Sequence, residues 1–239
     1  MSNQSHAEKL SSHEIISLFP RPVYKTNIER KFTKQEYDEF ASIITKDLDE
    51  RASNQFKRIT TDKYLLKRKS LSAIRSFIEQ HLNEFCFSSN LLGMNKTKIS
   101  CNITTSWLNL FEPRAFNPEH NHRNSILSGV LYINCLELPD NKPDGINFHG
   151  NGTEDFYSSS EMFHHIDLPI THTTTFSSTS FRIAVDVGDL ILFPSTLRHS
   201  VDLNETADQT RISMSFNTFA FGELGDGDTS EVILKQGKL

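Results

Sequence analysis

The chain is short of the residues that would staple or address it by simple devices. Its 239 residues include three cysteines, Cys86, Cys101 and Cys135. Their odd number and wide scatter argue against a disulfide framework, show no metal-like spacing and fit a reducing compartment. No apolar run approaches the ~20 residues that a membrane helix needs. The start, Met1 to Leu10, is polar and lacks the apolar stretch of a signal peptide, so a soluble, cytoplasmic protein is expected. Positive charge is scarce too. A net charge of −5 leaves no electrostatic footprint for nucleic acid or anionic lipid. The run Lys67-Arg68-Lys69 reads as a solvated surface stretch. One tryptophan stands against 18 phenylalanines, which points to a Phe-rich core. With 36% apolar and 23% charged residues, the composition suits a soluble globular protein of one sizeable domain or a tight pair.

What is present falls into two halves. Residues 1–17 form a polar tail. Leu18-Phe19-Pro20-Arg21-Pro22-Val23-Tyr24 reads as a short edge strand, because prolines exclude a central one. Thr33 with Glu36 has capping-box spacing, and Tyr37, Phe40, Ile43 and Ile44 then recur at helical spacing to about Leu48. A second helix is expected over Ser70 to Phe85, with Ile74, Phe77, Ile78, Leu82 and Phe85 on one face. From Lys98 the period changes to two, giving strands over 99–109, 126–135, 145–149, 181–187, 189–194, 199–203 and 209–219. Helices followed by strands imply an α+β, mainly β, fold with a largely antiparallel sheet or barrel. The partition is a helical support over 18–97, a strand core over 98–222 and a C-terminal extension over 223–239. The stretch 150–180 is too long for an ordinary connection, and its Ser, Thr, His and Gly content suggests a lid over a site.

The second half holds the chemistry. Glu119-His120-Asn121-His122 would, if extended, put His120 and His122 on one strand face. His199 follows the buried-strand pattern Gly188-Asp189-Leu190-Ile191-Leu192-Phe193-Pro194, at the start of the next strand. Twelve residues on, Arg211 opens a strand with Arg211, Ser213, Ser215 and Asn217 on one face and Ile212, Met214 and Phe216 on the other. Leu127, Leu131 and Ile133 likewise alternate with Ser128, Val130, Tyr132 and Asn134. Such polar faces serve either solvent or a wet cavity between sheets, and alternation does not choose. His149, His164, His165 and His172 read as pocket-rim or surface residues.

These segments, with Ser106-Trp107-Leu108-Asn109, Ser128-Gly129-Val130-Leu131-Tyr132 and His199-Ser200-Val201, resemble the iron(II)/2-oxoglutarate-dependent oxygenase superfamily. The likeness is to a branch related to the prolyl hydroxylases and covers about residues 99–222. It implies a double-stranded β-helix, or jelly roll, with the N-terminal helices packed on one sheet. It also implies Fe(II), 2-oxoglutarate and O₂ as cofactor and co-substrates. Carried over, His120 and His199 are iron ligands, and Arg211 pairs with the far carboxylate of 2-oxoglutarate through its planar fork. Ser213 would assist it, with Tyr132 and Asn134 as further candidates for the same pocket. Trp107, Asn109, Asn217 and His149 are the candidate substrate-pocket residues.

The superfamily usually has a carboxylate where this chain has His122. Three readings follow: His122 is the third ligand, it only lines the pocket, or Asp140, Asp144 or Asp189 completes the shell. The resemblance implies hydroxylation of a peptide or protein side chain, or of a small molecule, with release of succinate and CO₂. A nucleic-acid or membrane partner is not expected, and a homodimer is compatible. Two rivals stand beside it. One is a zinc-type site on the same barrel, which leaves Arg211 and Ser213 without a role. The other is a non-catalytic binding or structural jelly roll, which leaves the three histidines unexplained.

Overall fold

Alternation along the strands builds two antiparallel sheets, with helices on the outer face of the larger one. The computed structural model describes residues 20–48, 57–150, 178, 180–225 and 232–237, apart from the Asp140 side chain. Its strands are β1 (Tyr24–Asn27), β2 (Arg58–Ile59), β3 (Ile99–Phe111), β4 (Asn117–His120), β5 (Leu127–Asn134) and β6 (Gly145–His149). They continue with β7 (Ser180–Ala184), β8 (Asp189–Pro194), β9 (Arg198–Val201), β10 (Arg211–Leu224) and β11 (Val232–Leu234). The larger sheet runs β1-β8-β5-β10-β3-β2, with β11 on the far end of β10; the smaller runs β4-β9-β6-β7. The strand core is the expected jelly roll.

Two helices precede the core. Helix α1 (Lys34–Lys46) begins at the expected cap: Thr33 Oγ1 accepts from the Glu36 N–H, and the Glu36 carboxylate accepts from the Thr33 N–H. Helix α2 (Ser72–Phe87) buries Ile74, Ile78, Leu82 and Phe85, one stripe at helical spacing. That stripe packs against Leu108, Leu131, Leu190, Met214 and Phe216 of the larger sheet. A second apolar cluster joins the two sheets through Tyr132, Ile191 and Phe193 on one side and Ile146 and Phe148 on the other. Strands β3, β5, β8 and β10 thus turn one parity under the helices and the other between the sheets.

Several boundaries differ from the sequence reading. The first strand starts at Tyr24, beyond Pro20 and Pro22, and pairs with β8 from Tyr24 opposite Leu192 to Asn27 opposite Asp189. Proline cannot donate to a ladder, so pairing starts after the last one. Helix α2 runs to Phe87. Strand β7 ends at Ala184, short of the expected 187, because Asp186 to Gly188 turn the chain into β8, with Gly188 at φ +87°. The 223–239 extension contributes β11, which pairs with Gly222–Leu224 of β10. The N-terminal tail and the lid expected over 150–180, except Gly150, Ser178 and Ser180, lie outside the described residues, as do His164, His165 and His172. No helix among the described residues is long and apolar enough to cross a membrane.

Candidate metal centre

His120 closes β4 and stands directly opposite His199 on β9. His122 lies just beyond the end of β4, so the two nearer histidines do not share one strand face as the extended reading supposed. Instead the His122 N–H donates to the Ser195 carbonyl at 2.9 Å, which turns the segment back toward β9. The three imidazoles converge, with candidate ligand atoms all within 4.8 Å of one another. The Nε2 atoms of His122 and His199 are 3.3 Å apart. Neighbouring ligands on one metal at bonds of about 2.1 Å would stand about 3 Å apart, so the spacing fits a shared ion.

Hydrogen bonds fix which nitrogens are available. His120 Nδ1 is 2.9 Å from the Pro118 carbonyl, and His199 Nδ1 is 3.1 Å from the Leu197 carbonyl. A carbonyl only accepts, so each Nδ1 carries the proton and each Nε2 keeps its lone pair. Burial keeps the rings neutral. His199, packed edge-on against Phe193 at 4.7 Å, is pushed down to about 3 by desolvation and then by His120. His122 falls to about 4 through desolvation, with His120 and Lys57 adding to it. His120 is lowered for the same first reason. Neutral imidazoles are the ligating form.

The cavity beside the histidines is walled by β3, β5 and β10. Arg211, Ser213 and Ser215 line it from β10, and Ser128, Val130 and Tyr132 from β5. The polar faces left open by the alternation therefore look inward. Arg211 is 2% exposed. Its Nε donates to Asp144 Oδ2 at 2.7 Å, its Nη2 is paired with Asp144 Oδ1, and it reaches the Gly145 carbonyl at 3.4 Å. Its Nη1 has no partner, the one such buried side-chain nitrogen or oxygen among the described residues. A buried donor left without an acceptor is costly, and an anion entering the cavity would supply one.

The carboxylates offered as alternative ligands are committed elsewhere. Asp144 holds Arg211. Asp189 accepts from Asn27 Nδ2 at 2.8 Å and from the Asp186 N–H at 2.8 Å, and pairs with Lys25 at 2.9 Å. The Asp140 side chain lies outside the described residues.

The remaining candidates separate into three groups. Trp107 and Asn109 line the cavity: Trp107 Nε1 donates to Asn109 Oδ1 at 3.1 Å, and Asn109 Nδ2 donates to Ser215 Oγ at 2.8 Å. Tyr132 also lines it, and burial raises its phenol. Asn217 stands one step behind, accepting from Ser128 Oγ at 2.8 Å. Asn134 and His149 lie apart from the cavity. Asn134 is exposed and donates to the Thr210 carbonyl, because β5 ends there. His149 bonds Ser200 Oγ at 2.8 Å and borders a different groove, beside Glu119 and Asp202.

Two features that matter here were not expected from the sequence: the pairing of Asp144, offered there only as a possible metal ligand, with Arg211, and the place of Lys57. Asp144 sits in an unpatterned turn, and only the fold brings it to Arg211. Lys57 lines the cavity from just before β2. Arg58 is opposite Leu110 and Ile59 opposite Asn109, so alternation puts Lys57 on the side of β3 that carries Trp107, Asn109 and Phe111. Desolvation and the nearby Lys63 bring its ammonium down to about 8. No motif surrounds it in sequence.

A family model described as "Putative 2OG-Fe(II) oxygenase" matches residues 105–217, which span all three histidines and Arg211. No curated protein matches the chain in sequence. Solved structures share its fold. The non-heme alpha-ketoglutarate-dependent epimerase SnoN from nogalamycin biosynthesis superposes with TM-score 0.56 at 10% identity, over 91% of each chain. HygX from Streptomyces hygroscopicus, with nickel and 2-oxoglutarate bound, gives 0.51 at 12%, over 83% of this chain and 82% of its own. A prolyl hydroxylase from Trichoplax adhaerens, in complex with a hypoxia inducible factor peptide fragment, gives 0.51 at 10%, over 82% and 83%. The family match thus covers the strand core, and the chain as a whole shares the jelly-roll fold of these solved structures.

Proposed function

We propose that the protein is an iron(II)- and 2-oxoglutarate-dependent dioxygenase whose metal is held by His120, His122 and His199. One observation carries the reading: three neutral imidazoles and a buried guanidinium nitrogen without a partner border the same cavity. The donor set fits the group. The Nδ1–H bonds of His120 and His199 to backbone carbonyls leave Nε2 for a divalent ion. Three imidazoles leave that ion its full +2 charge, which a dianionic co-substrate offsets.

Arg211 takes the far carboxylate of 2-oxoglutarate through Nη1, and the Ser213 hydroxyl assists from the same strand face. Asp144 fixes the guanidinium by occupying its other edge. Phe148 and Phe193 pack around His199 and keep water from that side of the centre. When bound, iron(II) supplies the activation of O₂ that couples decarboxylation of 2-oxoglutarate to oxidation of a substrate C–H bond. For hydroxylation the balance is R–H, O₂ and 2-oxoglutarate giving R–OH, succinate and CO₂. The substrate is a small molecule or a peptide side chain that reaches the cavity past Trp107.

Anaerobic titration of the metal-free protein with iron(II) and 2-oxoglutarate tests this. A visible charge-transfer band is expected. It should vanish in His199→Ala and weaken in Arg211→Ala. Iron uptake without the band would sink the co-substrate role and favour a redox-inert metal site. Failure to take up any metal would leave a binding module.

A further inference from the structure

An ion held by His120, His122 and His199 would meet three neutral ligands, because a ligating imidazole carries no charge. Among the described residues, the other ionisable side chains that line the cavity are Lys57, Tyr132 and Arg211, and none is anionic at neutral pH. The carboxylates around it are engaged elsewhere. Glu119, beside His120 in sequence, borders the other groove and pairs with Arg198. Asp202 borders that same groove, where it accepts from Asn147 Nδ2 at 2.6 Å and from Arg182 Nε at 3.3 Å. Asp144 gives both oxygens to Arg211. Asp189 begins β8, whereas Ser195, which holds the His122 N–H, lies just past its other end. That six-residue strand puts about 20 Å between them.

Enclosure sharpens the imbalance. His199 is 4% exposed, and the rings of Phe193 and Phe148 stand 4.7 Å and 6.2 Å from its own. A dication that loses water there finds no opposite charge on the protein, and charges in such a place are weakly screened. On the dioxygenase reading given above, 2-oxoglutarate is the anion that completes the site. We propose that His122 makes metal retention conditional on that dianion: the ion binds weakly alone and tightly together with 2-oxoglutarate, and the protein sheds its metal when the co-substrate is scarce. A carboxylate at position 122 would hold the ion by its own charge and weaken the dependence. By linkage, the factor that the dianion adds to metal affinity equals the factor that the metal adds to dianion affinity.

Calorimetric titration of the metal-free protein with cobalt(II) tests this at neutral pH and constant ionic strength. It is run without anion, with 2-oxoglutarate and with oxalate, and corrected for chelates formed in solution. Oxalate is a chelating dianion without a far carboxylate, so it reports on charge at the metal and not on Arg211. Each dianion should tighten cobalt binding by the wild type about a hundredfold. His122→Asp should bind cobalt more tightly than the wild type when no anion is present, and its gain from either dianion should be about tenfold smaller. His122→Asn changes the ligand without adding charge, so it should keep the wild-type gain. The cobalt d–d bands check that each variant holds the ion in a protein shell, and His122→Glu gives the same comparison should His122→Asp not fold. Equal gains in the wild type and His122→Asp would overturn the proposal, as would a gain in His122→Asn as small as that in His122→Asp. So would tight cobalt binding by the wild type that neither dianion alters. If oxalate acts as expected and 2-oxoglutarate does not, the conditional metal site stands and the dioxygenase reading alone fails.

Discussion

His199 shows how one buried side chain ties folding to acidity. Its folded value, about 3, lies below the ordinary 6.5, and that of His122 is about 4. Between those values and 6.5 the unfolded chain takes up protons that the folded protein refuses. Stability from these rings is therefore complete above about 6.5 and drains away as pH falls. Thermal unfolding of the metal-free protein should lose midpoint temperature from pH 7 to pH 4.5, and His199→Gln should flatten that slope. An equal slope in both would show that other groups set it. Arg211 and Asp144 give a second test. Replacing Asp144 by Ala strands a buried cation, and urea unfolding should report a loss of about 3–5 kcal/mol. Asp144→Asn combined with Arg211→Met should recover much of that stability without recovering 2-oxoglutarate binding.

Element by element, the sequence was readable where one face of a strand or helix is apolar throughout. Met214 and Phe216 against Ser213 and Ser215 define β10, and Leu190 to Phe193 define β8, because burial enforces the period. The capping box at Thr33 was legible for a local reason: its two hydrogen bonds join residues three apart. Strands β2, β4 and β11, at two to four residues, were not legible, since so short a segment has no period. Nor could alternation say which sheet a strand joins, and that choice turned His149 away from the cavity while bringing Lys57 into it. The histidines and Arg211 stood out through order and residue type, whereas Asp144 depends on a contact across 67 residues. Gly129 adds a packing constraint on β5. A Cβ there would stand 2.2 Å from Phe216 Cζ, a ring already buried beneath the helices. Gly129→Ala should therefore overpack that layer, and a lower urea midpoint corresponding to about 1–3 kcal/mol is expected.

Across the whole molecule, the candidate metal site joins chain segments that are close in space and distant in sequence. His120 and His199 are 79 residues apart and face each other across one pair of strands. An ion bound only by the folded state adds stability by mass action, about 2.7 kcal/mol at a hundred times its Kd. Manganese(II) or iron(II) should raise the melting temperature of the wild type and leave that of His199→Ala where it was. Strand β4 gives this linkage a further meaning. It has four residues, includes Pro118, sits at the margin of its sheet and loses register with β9 between Asn117 and His120. Such a strand opens cheaply on its own. An ion shared by His120 and His199 would act as a clasp on it, so a protease able to cut near Arg123 should nick the metal-free chain and spare the loaded one. Iron supply would then govern not only whether the protein works but how long each copy survives.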